Sequence, residues 1–473
     1  MGSSRSRATS AQFVLAACGL VLAGVPSAAQ RPVSQRRSVQ TEVPHSIAHA
    51  PWTRRAVIYE VNVRQFTPEG TFAALERHLP QLDSLGVDIL WLMPVQPIGV
   101  KERKGTLGSY YSISNYRDVN PEYGSKTEFA SLVAAAHRRG KHVILDWVPN
   151  HTAYDHVWIG AHPDWYVHRA DGSISRPIEN GKETDWTDVA QLDFRNQDMR
   201  RAMIADMRWW VDSIHVDGFR CDHAIGAPLE FWADARRELL AANPALFMLA
   251  EVEGSPYHAS FDMTYGWELH HLLNDIATGK KPAREIDAYF RREAPAYPRD
   301  AYRMYFTSDH DENSWQGTEF ERMGANHQAA FIVSATVEGS MPLLYTGQEV
   351  SLHKRLRFFE KDTVDWSGPS LVPFYSRVFA LKHENAALAN GASGGVQRPL
   401  ASNGGERVYA FTRTRGANTV LVAVNFGDEP ARIAYRALSR PGRYRDWFGR
   451  SMATLGASGR LDIPAHGYRV LVQ

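Results

Sequence analysis

Apolar residues recur along this chain in two alternating rhythms. Short runs rich in β-branched and aromatic residues come first: "AVIYEVNV" (56–63), "VDILWLMPV" (87–95), "KHVILDWVP" (141–149), "VDGFRCD" (216–222) and "LFMLAE" (246–251). They are nearly continuous in apolar side chains, which predicts strands buried on both faces. Between them stand longer helix-like stretches: 71–86, 126–140, 199–214 and 228–243. The first two end in Gly86 and Gly140, where a helix would stop. Strand and helix in alternation predict a parallel sheet covered by helices. The span suits a (β/α)8 barrel, an α/β fold that typically takes about 250 residues and more with insertions.

Three stretches break the rhythm. Sixty-five residues separate His151 from Asp217, far more than one helix and loop need. Residues 152–195 within that gap carry "ADGS" and "ENGK" turns with Trp158, Trp165 and Trp186, and predict a small inserted subdomain. After about residue 390 no long helix is indicated. "ERVYAFTRTRGANTVLVAVNFG" (406–427) reads as two strands around a turn, so 391–473 predict an antiparallel β-sandwich beside a barrel of 51–390. At the other end, Arg5 and Arg7 precede the apolar run 13–25 and the small residues Ser27 and Ala29. That order predicts a secretory signal peptide over 1–29, a tether over 30–50, and a secreted or periplasmic protein. "LAAC", ending at Cys18, also resembles a lipoprotein box, which would anchor the chain instead.

Charge changes the picture only by exclusion. Fifty-three Lys and Arg balance 52 Asp and Glu for a net +1, with no basic stripe, so nucleic acid is not an expected partner. No stable membrane insertion is expected either, because the N-terminal apolar run is short for a span. Cys18 and Cys221 are the only cysteines, and cleavage after Ala29 would leave one, so no disulfide is expected. Cys221 alternates with Arg220 and Asp222 and should point the other way, into packing.

Candidate chemistry gathers at the strand ends, which form the catalytic rim of such a barrel. The third strand ends with Asp146, Asn150 and His151, the fourth with Arg220 and Asp222, and the fifth with Glu251. A later one, "FTSDHDE", supplies Asp309, His310 and Asp311. Carboxylates across a barrel mouth suit glycoside hydrolysis, in which one attacks the anomeric carbon and another protonates the departing oxygen. The retaining version sets them about 5–5.5 Å apart. Period-2 geometry puts Arg220 on the same face as Asp222, where it can keep that carboxylate charged and oriented. Adjacent His270 and His271 do not share a helix face, so packing is the expected role for them rather than metal binding.

At these residues the chain resembles the α-amylase family of glycoside hydrolases, family 13, over most of 50–470. "DWVPNH", "DGFRCD", "MLAE" and "SDHD" stand in the family's order. The resemblance implies Asp222 as nucleophile, Glu251 as general acid/base and Asp311 as the third catalytic carboxylate. It implies Arg220, His151 and His310 around the innermost sugar subsite, and Tyr111 in "GSYYSISNYRDVNPEYG" as the platform under the reacting sugar. It also implies the inserted subdomain and the C-terminal sandwich. The expected activity is hydrolysis of α-1,4-glucosidic bonds in starch-like glucans or maltooligosaccharides, with those sugars as the binding partner. Transglycosylation or α-glucosidase action by the same machinery, and a non-catalytic glycan-binding role, are the alternatives.

Many members of that family bind a structural calcium between barrel and insertion, and Asn150 matches one of its ligands. Gln191 stands where those members have an aspartate, and Gly226 where they have a histidine whose backbone binds. Hard cations want several oxygens. No cofactor is therefore expected to be required, with structural calcium left open by the lost carboxylate. Asp309 also departs from the family, which usually has asparagine there.

Overall fold

The computed structural model describes residues 47–473. The signal-peptide reading, Cys18 and the tether up to residue 46 lie outside the described residues. Eight parallel strands close into a barrel: β1 (Ile58–Val61), β2 (Ile89–Leu92), β3 (His142–Trp147), β4 (Gly218–Cys221), β5 (Phe247–Ala250), β6 (Met263–Tyr265), β7 (Tyr302–Tyr305) and β8 (Ser340–Tyr345). Each pairs with its neighbours in chain order, and β8 pairs with β1. β6 is three residues long, too short to show a period, and sequence reading does not single it out.

Alternation sorts the strand residues into two cores. Ile58, Ile89, Trp91, Ile144, Leu249 and Met304 point inward and fill the barrel. Their neighbours face the helices, which close over them in a second layer. Local chemistry sets the helix ends. Thr71 accepts from the Ala74 amide to start Phe72–Leu85, and Gly86 ends it at φ 81°. Ser125 and Glu128 form a capping box at the start of Lys126–Arg138. The helix expected over 199–214 runs only from Gln197 to Trp209 and then widens into a π-turn over Trp210–Ile214. Burial explains the widening: Trp210 is wholly enclosed and donates to the Tyr116 carbonyl at 2.8 Å.

The segment after β3 leaves the barrel. His151–Ala153 pairs antiparallel with Val189–Gln191, and Ile178–Glu179 with Lys182–Glu183, so the insertion is tied at its root and loose in form. Beyond the barrel come two antiparallel sheets. One has six strands in the order Val396–Pro399, Val408–Arg415, Asn418–Asn425, Gly467–Val472, Gly442–Asp446 and Met452–Leu455. The other has three: Ala401–Ser402, Ala431–Arg436 and Gly459–Ile463. Leu421, Leu471, Tyr444 and Ile433 form the core between them, as a sandwich requires.

Candidate active site

One glycine sets the register on which the site depends. A Cβ on Gly218 would lie 1.8 Å from the Phe247 carbonyl oxygen, so only glycine lets β4 and β5 meet there. That register pairs Arg220 with Leu249 and Cys221 with Ala250. One residue further, just past the two strand ends, Asp222 and Glu251 come side by side. On the other flank of β4, Arg220 pairs with Asp146 of β3.

Arg220 is wholly buried and organises three carboxylates. Its Nη1 donates to Asp146 Oδ1 at 3.0 Å and to Asp222 Oδ1 at 2.9 Å. Its Nη2 lies 2.8 Å from Glu251 Oε1 but is not aligned for a hydrogen bond. The Nε donates to the Tyr265 hydroxyl at 3.2 Å. Glu251 is held from its other side by the backbone N–H of His223 at 2.7 Å. His223 adopts a left-handed conformation, φ 40° and ψ 50°, that non-glycine residues enter at a cost, and that conformation belongs to the turn presenting its N–H to the carboxylate.

Three acids crowded around one buried guanidinium cannot all ionise cheaply. Burial pushes Asp146 up to about 6, against the pull of Arg220 and His310. Burial and then the neighbouring Glu251 push Asp222 well above the usual carboxylate range. Burial would raise Glu251 too, but Arg220 and the His223 N–H hold it below its ordinary value. One raised and one lowered carboxyl make a coupled pair in which Asp222 holds a proton more tightly than Glu251.

The remaining sequence-predicted residues surround this pair. Asp311 is the most open carboxylate, with 37% of its side chain exposed, and its Oδ2 lies 3.4 Å from His310 Nε2. Tyr111 donates its hydroxyl proton to Asp146 Oδ2 at 3.1 Å, and its oxygen lies 2.9 Å from His310 Nε2. Its ring is stacked with the His310 ring at 5.6 Å between centroids. His151 stands on the insertion side, edge-on to Trp186 at 5.6 Å. Burial lowers its pKa to about 3, so it is neutral. Asp309, beside His310 in the chain, is buried, and its Oδ1 accepts the Glu312 amide at 2.8 Å as an asparagine oxygen would. Cys221 is a buried free thiol. His270 is buried with Glu312 at 2.9 Å.

Sequence reading passed over four residues that belong here. Glu60 at the end of β1 accepts from His310 Nδ1 at 2.5 Å. Trp91 donates to Asp146 Oδ2 at 3.1 Å. Phe358, in the long connection after β8, stacks against Tyr111 at 6.2 Å, and Trp315 lies 5.3 Å beyond it. The position of Glu60 at a strand end was a readable signal. Phe358 had none, because a loop has no period, and Trp315 had none, because the single π-turn Glu312–Gln316 is too short to show one.

The place where the family carries calcium has a different chemistry in this chain. Asn150 Oδ1 receives the Gln191 amide N–H at 3.1 Å, and Gln191 Oε1 accepts from Ile178 N at 2.6 Å. Gly226 packs on the same amide, where an added Cβ would lie 2.3 Å from Asn150 Oδ1. A donor hydrogen points at the oxygen that a cation would use, so these residues do not fit the ion. Among the described residues no group of three or more His, Cys, Asp or Glu could hold a metal.

A sequence profile described as "Alpha amylase, catalytic domain" matches residues 34–368, and one described as "Alpha amylase, C-terminal all-beta domain" matches 400–469. The alpha-amylase MalA of Haloarcula japonica is 28% identical over 439 residues, covering 88% of this chain. This chain spans only 62% of that protein's length. Among solved structures, the noncanonic maltogenic alpha-amylase AmyB of Thermotoga neapolitana superposes with a TM-score of 0.80 at 27% identity, over 88% of this chain and 98% of that one. An alpha-amylase of Lactobacillus plantarum does so at 0.78 and 28%, over 89% and 99%. The closed barrel, its acid-lined mouth, the sandwich and the profile over more than half the residues lead to one assignment: the chain belongs to the alpha-amylase family of glycoside hydrolases.

Proposed function

We propose that the protein is a secreted, retaining α-glycosidase that hydrolyses α-1,4-glucosidic bonds of starch-like glucans or maltooligosaccharides. One observation carries the reading: a single buried arginine stands 2.9 Å from Asp222 and 2.8 Å from Glu251 at the barrel mouth, and Asp311 joins the same site through His310. A glucosyl ring laid on Tyr111 would meet Asp311 and His310 through its hydroxyls. Its anomeric carbon would face Asp222. Attack by the Asp222 carboxylate forms a glycosyl ester while the C1–O bond breaks and the leaving oxygen takes the Glu251 proton. Glu251 then removes a proton from water, the water oxygen attacks C1, and Asp222 departs. Two inversions return the α configuration.

The productive form needs the shared proton on Glu251 and Asp222 ionised. In the free site the electrostatics favour the reverse. The misaligned contact between Arg220 and Glu251 is the weak point of that arrangement. A sugar that displaces Glu251 from Arg220 removes the influence that lowers its pKa, and the proton passes to it. Digestion of maltopentaose, followed by ¹H NMR, tests the whole reading. Released α-anomer supports it, and initial β-anomer or no release overturns it. Products longer than the substrate would assign transfer rather than hydrolysis.

A row of aromatic faces supports a chain-like substrate. Tyr111, Phe358 and Trp315 follow one another from the site to the surface, and Trp315 is 52% exposed. A pyranose offers an apolar face to such rings, worth about 0.5–1.5 kcal/mol per stacked aromatic. Trp315→Ala should therefore raise KM for maltopentaose about 2–13-fold. The value for p-nitrophenyl α-glucoside, which is too short to reach Trp315, should not change. Equal effects on both substrates would remove Trp315 from the sugar path.

The reading includes independence from calcium, supported by the Gln191–Asn150 hydrogen bond. Chelator treatment should leave Tm and rate unchanged. A structural ion present at a hundredfold its Kd would contribute about 2.7 kcal/mol, so its removal would lower Tm measurably. A fall in Tm reversed by added calcium would defeat this part of the reading.

A further inference from the structure

His310 is bound on both ring nitrogens, and the polarity of those bonds can be followed from one end of a chain. Asp146 receives Arg220 Nη1 and Trp91 Nε1, so it acts as an acceptor. The Tyr111 hydroxyl must then donate to Asp146, which leaves its oxygen to accept from His310 Nε2–H. The other nitrogen, Nδ1, stands 2.5 Å from Glu60 Oε1. Glu60 has no exposed surface, and its second oxygen finds no partner. The mechanism above makes no use of this buried acid.

We propose that Glu60 is a positioning residue: it accepts the Nδ1 proton of His310, fixes the ring, and keeps it an imidazolium whose Nε2–H faces Asp311 and the incoming sugar. The proposal rests on the reading of the site as a glycosidase. The family's catalytic residues stand at the ends of later strands, whereas this acid comes from β1. Glu60 and Trp91 lie on paired positions of β1 and β2, so the inward layer of the barrel presents both to the same imidazole. The groups facing His310 come from all sides. Glu60 stands on β1, Tyr111 follows β2, and Asp146 ends β3. Arg220 comes from β4 and Glu251 follows β5, with Asp309 and Asp311 flanking His310 itself. Burial alone would lower the imidazole pKa, but Asp311, Glu60 and Asp309 together carry it up to about 10.

The chemical consequence is a permanent cation beside the sugar hydroxyls over the whole working pH range. A neutral ring would offer a weaker donor to the hydroxyls and would leave Asp311 without its counter-charge. Glu60→Gln retains the shape and a hydrogen-bonding oxygen but removes the charge that holds the proton.

Two measurements on the full chain test this. The first needs no activity. In protein labelled with ¹⁵N-histidine, the His310 ring, assigned by its loss in His310→Gln, should show both nitrogens protonated at pH 7. An unprotonated nitrogen there overturns the proposal whatever the reaction proves to be. The second is the pH profile of kcat/KM on maltopentaose. Glu60→Gln should move the alkaline limb down by at least one pH unit, and Glu60→Asp should restore part of it. An unmoved limb, with His310 still cationic in Glu60→Gln, overturns the proposal even if the variant is less stable. If Glu60→Gln fails to fold, the imidazole signals of the unmutated protein still decide. Catalysis of another kind would overturn the glycosidase reading while leaving the ring's charge state intact, so the two failures are distinguishable.

Discussion

Asp222→Asn should lose about 10⁴-fold or more of kcat on maltopentaose. The asparagine oxygen can still accept from Arg220 Nη1, so the surrounding network has no reason to collapse. The amide carries no charge and is a poor nucleophile, so the glycosyl ester does not form. Stability should move the opposite way from activity. Burial and Glu251 raise the folded-state pKa of Asp222 above its unfolded value of about 3.9. The unfolded chain therefore ionises first, and folding loses stability as pH rises past that value. Asparagine removes this loss, so Tm at neutral pH should hold or increase. Activity as high as a tenth of the original kcat would end the nucleophile assignment. A collapse of Tm would instead show that the carboxylate serves the fold.

Glu251→Gln should separate substrates by their leaving groups. With maltopentaose the departing sugar oxygen needs a proton, and kcat/KM should fall about 10²–10⁴-fold. With 2,4-dinitrophenyl α-glucoside the phenolate leaves unaided, and the fall in kcat/KM should be much smaller. The alkaline limb of the profile should also move to higher pH, where only the His310 proton remains to be lost. In the unmutated protein the active form holds the shared proton, and activity is lost as pH rises through the apparent pKa of the Asp222–Glu251 pair. Glutamine has no proton to lose. Equal losses on both substrates, or an alkaline limb that stays where it was, would move the acid role elsewhere.

Much of this protein is determined by sequence order alone. The continuous apolar runs specify strands buried on both faces, and the charged residues that close 216–222 and 246–251 mark where two of them open onto a polar rim. Glycine and threonine at the helix ends mark several boundaries to within two or three residues. Period 2 is enough to place Arg220 beside Asp222, because alternation is a property of the extended backbone and needs no partner strand. The four motifs name the family because each carries a chemical group at a strand end.

Other features were settled only by the closing of the barrel. Arg220 reads as the partner of one carboxylate, yet it serves three. Two of them lie on neighbouring strands, and their distance to the guanidinium depends on the register that Gly218 permits. The pKa values of Asp222 and Glu251 follow from burial and mutual repulsion, and neither exists before the chain folds. Glu60 and His310 are 250 positions apart and meet because the closed barrel brings its first strand to the same mouth as the segment that follows its seventh. Phe358 comes to Tyr111 from a loop and Trp315 from the short π-turn Glu312–Gln316, whose courses are set by what they pack against rather than by any period. The Gln191–Asn150 contact links the two ends of the insertion, so the sequence could show that a calcium ligand was missing but not which hydrogen bond took its place.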